Sequence, residues 1–344
     1  MTLTEQHYYN ALNILYGGNY SRLKKIQKQC QSWKKAWSAE SKNCADLNPE
    51  KEWARLKTSN VKLLLQTDVS YPFFLKNAPT PPFGIYVLGN IDYQQPAVAI
   101  VGTRAATPAG KETARIFART LANAGIPIIS GLAMGIDAAA HSGALEVGGK
   151  TIAVLGTPLN NLYPKQNENL AKQILKSDGA IISEFPFNRE YTPSDFLVRN
   201  RIISGLADAT LVIEAPEKSG ALATAKFALD QNREIFVVPG NINNKNYAGS
   251  NGLIKAGAAI VTEPKDILDY FGLTQKETTA MATERKMDAP ETIIFQNLKK
   301  QPAECTVEKL AEITKLEINI LNQTLALMTI RGIIKELNGK YFIN

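Results

Sequence analysis

Hydrophobic and polar positions change their period several times along the chain. Over the first 80 residues apolar side chains recur at mixed three- and four-residue spacing, in Leu3–Leu15 and Tyr20–Trp37. That spacing predicts amphipathic helices. Pro79-Thr80-Pro81-Pro82 breaks the pattern and reads as a linker or an extended entry strand. From Ala97 onward short, unbroken apolar runs (97–101, 126–129, 151–155, 180–182, 210–213 and 234–238) alternate with longer stretches (109–124, 134–146, 167–176, 195–204 and 221–231). Apolar runs without polar alternation suit parallel strands covered on both faces. Strands alternating with helices make βαβ units and a doubly wound sheet. Residues 272–288 are polar and aperiodic and read as a flexible linker. Beyond them Pro290–Leu298, Val307–Thr314 and Glu317–Ile330 predict three helices. Ile333–Leu337 and Lys340–Ile343 then predict a hairpin about Asn338-Gly339. Three helices followed by a hairpin is the order of a winged helix.

The expected architecture is therefore an α/β, mostly parallel, doubly wound sheet at residues 81–271. A helical domain (1–80) precedes it; the linker (272–288) and a winged-helix domain (289–344) follow. The length of 344 residues agrees, at roughly 150 residues per domain.

Composition narrows the classes. Hydrophobic residues make up 44% and charged residues 21%, which excludes overall disorder. No apolar run reaches the roughly 18 residues of a membrane span, and residues 1–10 are polar, so neither a span nor a secretory signal is expected. Cys30, Cys44 and Cys305 are scattered without a CxxC pair, which suits a reducing cytoplasm and makes neither a disulfide framework nor a zinc site. Two histidines, His7 and His141, exclude chemistry that needs several imidazoles.

The net charge of +7 is unevenly placed. Residues 1–80 carry twelve Lys or Arg against six Asp or Glu, whereas residues 81–271 carry seventeen of each. The basic stretch Lys24–Lys35 reads as a solvated helix face in preference to a nucleic-acid contact surface. A polyanion site in the neutral middle region needs a local cluster of cations.

Glycines follow the expected strands at Gly102, Gly131, Gly156 and Gly240, where open α/β sheets bind ligands. Gly102-Thr103-Arg104 is not a GxGxxG loop, so a dinucleotide reading is weak. Gly102 lets the backbone approach a phosphate, the following helix start offers free N–H groups, and Arg104 adds a bidentate donor. Ser130-Gly131 and Gly135 shape a second tight loop, with Asp137 placed to cap the helix that carries His141. A lone histidine on an alanine-rich helix is expected to be a buried, hydrogen-bonded core residue. Tyr163 can stack on a base and Lys165 can pair with a phosphate. Arg199 and Arg201 flank Asn200, and either pair with Glu184 or Glu214 or contact a ligand. Ser219 and Gly220 start another helix and another anion-friendly strand end. No catalytic constellation emerges. The residues point to a phosphate-bearing ligand and leave open whether it is a nucleotide or a polymer.

Taken together the loops resemble the DprA/Smf family of bacterial DNA-processing proteins. The resemblance runs through VGTR (101–104), SGLAMGIDAAAH (130–141), TIAVLGTPLNNLYPKQN (151–167), GAIISEFPF (179–187), FLVRNRIISGL (196–206), LVIEA (211–215), SGALATAKFAL (219–229), REIFVVPG (233–240) and SNGLIKAGA (250–258). It implies an extended Rossmann-like domain that binds single-stranded DNA without strong sequence preference. It further implies protection of incoming DNA, delivery to the RecA recombinase in natural transformation, and a homodimer through that domain. No cofactor and no chemistry on DNA are implied. Carried over by position, Arg104 is the main DNA contact and Lys165 a second. Gly131 and Gly135 shape the pocket floor, Arg199 and Arg201 form an RNR element, and Phe185 or Phe187 is available for stacking. Ala106 and Thr107 stand where the family usually has a serine, and residues 1–70 show no clear helix-hairpin-helix glycine motif. The expected recognition helix of the winged helix holds no Lys or Arg and suits protein contacts. Two other classes remain: a Rossmann-like nucleotide hydrolase of the lysine-decarboxylase-like group, whose PGGxGT signature is missing, and a duplex-binding transcription regulator.

Overall fold

A computed structural model describes residues 3–44, 46–93, 95–273, 288–300, 305–330, 333–337, 339 and 340–343. The chain divides into two compact units, Met1–Thr274 and Gln275–Asn344. The expected linker lies, apart from Gly272, Leu273 and Asp288, outside the described residues, as does Asn338 of the hairpin turn.

The first unit opens with helices α1 (Glu5–Leu15), α2 (Tyr20–Cys30), α3 (Trp33–Glu40) and α4 (Pro49–Thr58). The spacing in Tyr20–Trp37 predicts one helix, and two form. Gln31 takes a left-handed φ of 57° and ends α2, and Ser32 caps α3. The Glu5 carboxylate then accepts from Trp33 N at 2.6 Å and Ser32 Oγ at 3.0 Å, placing an anion at the α3 N-terminus. The break thus also engages a residue 28 positions away, which periodicity cannot see.

Next come β1 (Lys62–Leu65), α5 (Phe73–Lys76), β2 (Gly84–Gly89), β3 (Val98–Gly102), α6 (Pro108–Asn123), β4 (Ile128–Ser130), α7 (Ile136–Glu146) and β5 (Thr151–Leu155). α8 (Glu168–Lys176), β6 (Ala180–Ser183), α9 (Pro193–Leu206), β7 (Ala209–Ile213), α10 (Gly220–Asp230), β8 (Glu234–Val237), α11 (Ala248–Lys255), β9 (Ala259–Ile260) and α12 (Pro264–Tyr270) complete the unit. The nine strands form one sheet in the order β1-β2-β6-β5-β4-β3-β7-β8-β9. β1 pairs antiparallel with β2, and β2 with β6; every other pair is parallel. The expected boundary near residue 80 is not a division of this unit. β1 and β2 join the sheet, and the N-terminal helices close one core with them, through Tyr9, Leu12, Trp33, Leu63 and Tyr86.

The unbroken apolar runs have the expected cause. Along β3, Val98 and Ile100 pack on one face with Phe117 of α6 and Ile136 of α7. Ala99 and Val101 pack on the other with Ile202 and Ile203 of α9. Truncating a side chain such as the buried Phe117 to Ala costs about 3–5 kcal/mol at such a site.

The second unit holds α13 (Ala289–Lys300), α14 (Val307–Thr314), α15 (Ile318–Ile330), β10 (Ile334–Leu337) and β11 (Lys340–Ile343), with β10 and β11 antiparallel. Its own core gathers Ile294, Leu298, Leu310, Leu321, Leu325 and Met328. Among the described residues no helix is long and apolar enough to cross a membrane.

Candidate nucleic-acid interface

β3 and β7 are neighbours in the middle of the sheet. After β3 the chain moves through α6 to β4 on one side; after β7 it moves through α10 to β8 on the other. Their carboxyl ends therefore diverge, and a crevice opens there, as the topology of doubly wound sheets requires. It is a pocket of about 360 Å³. The turn after β3, the first turns of α9 and the start of α10 make its walls.

Seven expected residues line it: Gly102, Thr103, Arg104, Arg199, Asn200, Ser219 and Gly220. Arg104 is exposed and has no carboxylate within 4 Å among the described residues. Its guanidinium lies 5.5 Å from the centre of the Phe196 ring. Lys218, not among the expected contacts, stands exposed at the rim just before Ser219. The Ser219 hydroxyl accepts from Ala221 N at 3.2 Å and caps α10, whose N-terminus opens on the pocket. Asp137 is the one carboxylate in the wall, so three cations face one anion. This is the local cluster that the charge-balanced stretch 81–271 needs to hold a polyanion.

Arg199 forms part of the pocket floor and is 4% exposed. It donates to Gly131 O at 2.9 Å and to Val154 O, and its Nε donates to Asn200 Oδ1 at 3.1 Å. Burial lowers its pKa to about 10, opposed by the charge of Asp137. Burial raises the pKa of Asp137, whose carboxylate accepts from Gly131 N at 3.1 Å. Gly135 caps α7 at φ +85°, and a Cβ there would collide with the carbonyl of Thr103, so glycine is required beneath the Arg104 turn.

A smaller recess of about 60 Å³ adjoins the pocket and shares Arg104, Phe196 and Arg199 with it. Gly131, Ala133, Met134, Tyr163 and Pro164 complete its wall. Tyr163, Tyr191 and Phe196 form an aromatic trio with ring centres 5.5–5.9 Å apart, and Tyr163 is 41% exposed. Phe196 and Tyr191 were not among the expected contacts. The only signal for Phe196 was its place three residues before Arg199 on one helix.

Several expected contacts lie elsewhere. Ser130 is fully buried and donates to Ile100 O at 2.7 Å, which ties β4 to β3 and keeps its hydroxyl from a ligand. Phe185 is 3% exposed and lies under the Arg189 guanidinium at 4.1 Å, close to Gly18; it is core and not free to stack. Arg201 is buried and ion-paired with Glu184, which is the structural alternative for that arginine. Lys165 is exposed at the start of a 3₁₀ turn, outside the residues lining pocket and recess, although Tyr163 and Pro164 line the recess. The helix start after Arg104 is not open to an anion either. Thr107 caps α6 through Gly110 N at 3.0 Å, and the Glu214 carboxylate accepts from Thr107 N at 2.9 Å. His141 is the expected core residue: Nδ1 lies 2.7 Å from Thr151 Oγ1, and burial lowers its pKa to about 3. Among the described residues no group of three His, Cys, Asp or Glu is placed to hold a metal ion.

The model of the family described as DNA recombination-mediator protein A matches residues 62–272. The Smf protein of Synechocystis is 37% identical over 295 residues, 79% of this chain and 74% of its own length. The Smf protein of Escherichia coli is 43% identical over 221 residues, 63% of this chain and 59% of its own. The X-ray structure of DNA processing protein A from Streptococcus pneumoniae superposes with a TM-score of 0.65 at 31% identity, covering 78% of this chain and 98% of that one. A solved structure of DNA processing protein A from Helicobacter pylori, described for its single-stranded DNA binding mode, gives 0.55 at 30% identity, covering 61% and 94%. With more than half of the chain inside the family match and its strand-end crevice inside that span, the chain belongs to the DNA recombination-mediator protein A family, the DprA/Smf proteins.

Proposed function

We propose that this protein binds single-stranded DNA, without strong sequence preference, in the crevice at the carboxyl ends of β3 and β7. The observation that carries the reading is the gathering of Arg104, Lys218 and Arg199 at the α10 N-terminus, in a stretch of chain, residues 81–271, whose net charge is zero. Phosphates sit between Arg104 and the start of α10, and bases lie against the Tyr163–Tyr191–Phe196 trio, whose π-faces accept any base. The single-stranded DNA binding described for the Helicobacter pylori relative supports this choice of polymer. The wider role follows the family: the protein protects incoming DNA and hands it to the RecA recombinase in natural transformation, acting in the cytoplasm as a homodimer through the Rossmann-like domain. It does no chemistry on the strand. The C-terminal unit is a winged helix that serves protein contacts.

Fluorescence anisotropy of a labelled poly-dT oligonucleotide against a duplex of the same length, over a salt series, tests the reading. Tighter and more salt-sensitive binding to the single strand is expected. Equal or absent binding to both would overturn it, and turnover of a nucleoside monophosphate would move the protein to the hydrolase class.

A further inference from the structure

A carboxylate stands where a polyanion is to bind. Glu214, at the carboxyl end of β7, is fully buried and held at φ +49°, a left-handed backbone that glutamate seldom adopts. Its carbonyl accepts from Thr103 N at 2.8 Å. Its carboxylate accepts from Thr107 N at 2.9 Å, from the Thr107 hydroxyl, and from Asn246 Nδ2 at 3.4 Å. The same Asn246 Nδ2 donates to Ala105 O at 3.1 Å. These bonds grip the residue before Arg104, the residue after it and the third residue after it. No ion pair steadies the Arg104 guanidinium among the described residues and its contact with the Phe196 ring is a long 5.5 Å, so the position of that side chain rests largely on its backbone. Gly110, one turn into α6, leaves room for the carboxylate; a Cβ there would strike it.

We propose that Glu214 and Asn246 are positioning residues for DNA binding: they clamp the 103–107 turn so that Arg104 projects into the pocket, and neither lines that pocket. The proposal rests on the reading of the pocket as a single-stranded DNA site. It has an unusual sign. If Glu214 acted only through its charge, removing a buried anion beside a phosphate site would tighten binding. A clamp predicts the opposite, because the freed turn no longer presents Arg104.

The test uses the full chain and labelled poly-dT over a salt series, with Glu214→Gln, Asn246→Ala, Arg104→Ala and the two doubles that contain Arg104→Ala. Glu214→Gln is expected to weaken binding about tenfold and to lower the salt slope by about 0.7, one phosphate contact on a single strand. Asn246→Ala, at a half-buried residue, is expected to lose about threefold with the same direction in slope. Neither is expected to weaken the Arg104→Ala protein further, since residues that act through one group are not additive. Tighter or unchanged binding by Glu214→Gln overturns the proposal, as does a loss that adds undiminished to that of Arg104→Ala. Should Glu214→Gln fail to fold, the Asn246→Ala pair decides by the same criterion. Unchanged binding by Arg104→Ala itself would instead sink the reading of the pocket, and the clamp with it.

Discussion

Arg199 and Arg201, two positions apart on α9, face opposite sides of the helix: Arg199 lines the pocket, while Arg201 Nη2 donates to both Glu184 oxygens at 2.7 and 2.8 Å. Two helical steps turn a side chain by about 200°, so one short motif serves two purposes. The pair with Glu184 is buried on both sides. Removing one partner leaves an uncompensated charge, and the Arg201→Ala protein is expected to lose about 3–5 kcal/mol of stability. Its folded fraction should still bind poly-dT with unchanged affinity and salt slope. Denaturant melts and anisotropy on the same preparation check both halves; a reduced salt slope with intact stability would return Arg201 to the site.

Arg104 carries the opposite expectation. It is exposed and makes no ion pair among the described residues, so Arg104→Ala should leave the melting temperature within about 1 °C while the log–log salt slope falls by about 0.7. A lower melting temperature with an unchanged slope would mark it as a structural residue.

For the aromatics, position separates the candidates. Tyr163→Ala, at a 41% exposed ring beside the pocket, is expected to weaken single-strand binding by about 1–3 kcal/mol, the worth of one stacked base. Phe185→Leu, in the core, should lower the unfolding midpoint and leave affinity alone. Reversed results would mean that bases stack on the face toward the N-terminal helices.

Much of this was legible along the chain, for stated reasons. The strands β3 to β8 are covered on both faces, so their apolar runs had to be unbroken, and the crevice at the β3–β7 divergence follows from topology. The N-terminal boundary was hidden because Lys62-Leu63-Leu64-Leu65 is short and follows α4 closely, and only its pairing with β2 makes it a strand. At the site, local chemistry misled in one consistent way. Ser130, Phe185, Arg201 and the α6 N-terminus each carry groups that suit a nucleic acid, and each is packed or bonded against a residue well removed in sequence: Ile100, Gly18, Glu184 and Glu214. Which polar groups are already satisfied is a tertiary property, absent from any motif.

His141 supplies a pH dependence. Burial holds its pKa at about 3, against an ordinary 6.5. Below pH 6.5 the unfolded chain takes up a proton that the folded protein refuses. Stability from this residue is therefore complete above pH 6.5 and is lost as pH falls toward 3, at about 1.4 kcal/mol per pH unit. Urea melts between pH 7 and 4.5 should show this slope on top of that from carboxylates whose pKa the fold lowers, such as Asp195, and a His141→Asn protein should show a shallower one. Equal slopes in the two proteins would mean that His141 is protonated in the fold.

The C-terminal unit should contribute little to holding DNA. Groove-reading helices present Arg, Lys, Asn or Gln to base edges, with further cations on the phosphates. α15 has the sequence INILNQTLALMTI; it exposes Asn319, Asn322 and Gln323 but has not one charged residue to hold a phosphate. Its exposed side chains include Ile318, Ile320 and Leu327. Such a surface loses free energy against a phosphate backbone and gains it against an apolar protein surface. The first unit keeps separate cores on both faces of its sheet and under its N-terminal helices, none of which draws on residues beyond 273. A chain lacking residues 288–344 is therefore expected to bind poly-dT within about twofold of the full chain, with the same salt slope. Loss of binding on this deletion, with the first unit still folded by circular dichroism, would move the DNA site to the C-terminal unit.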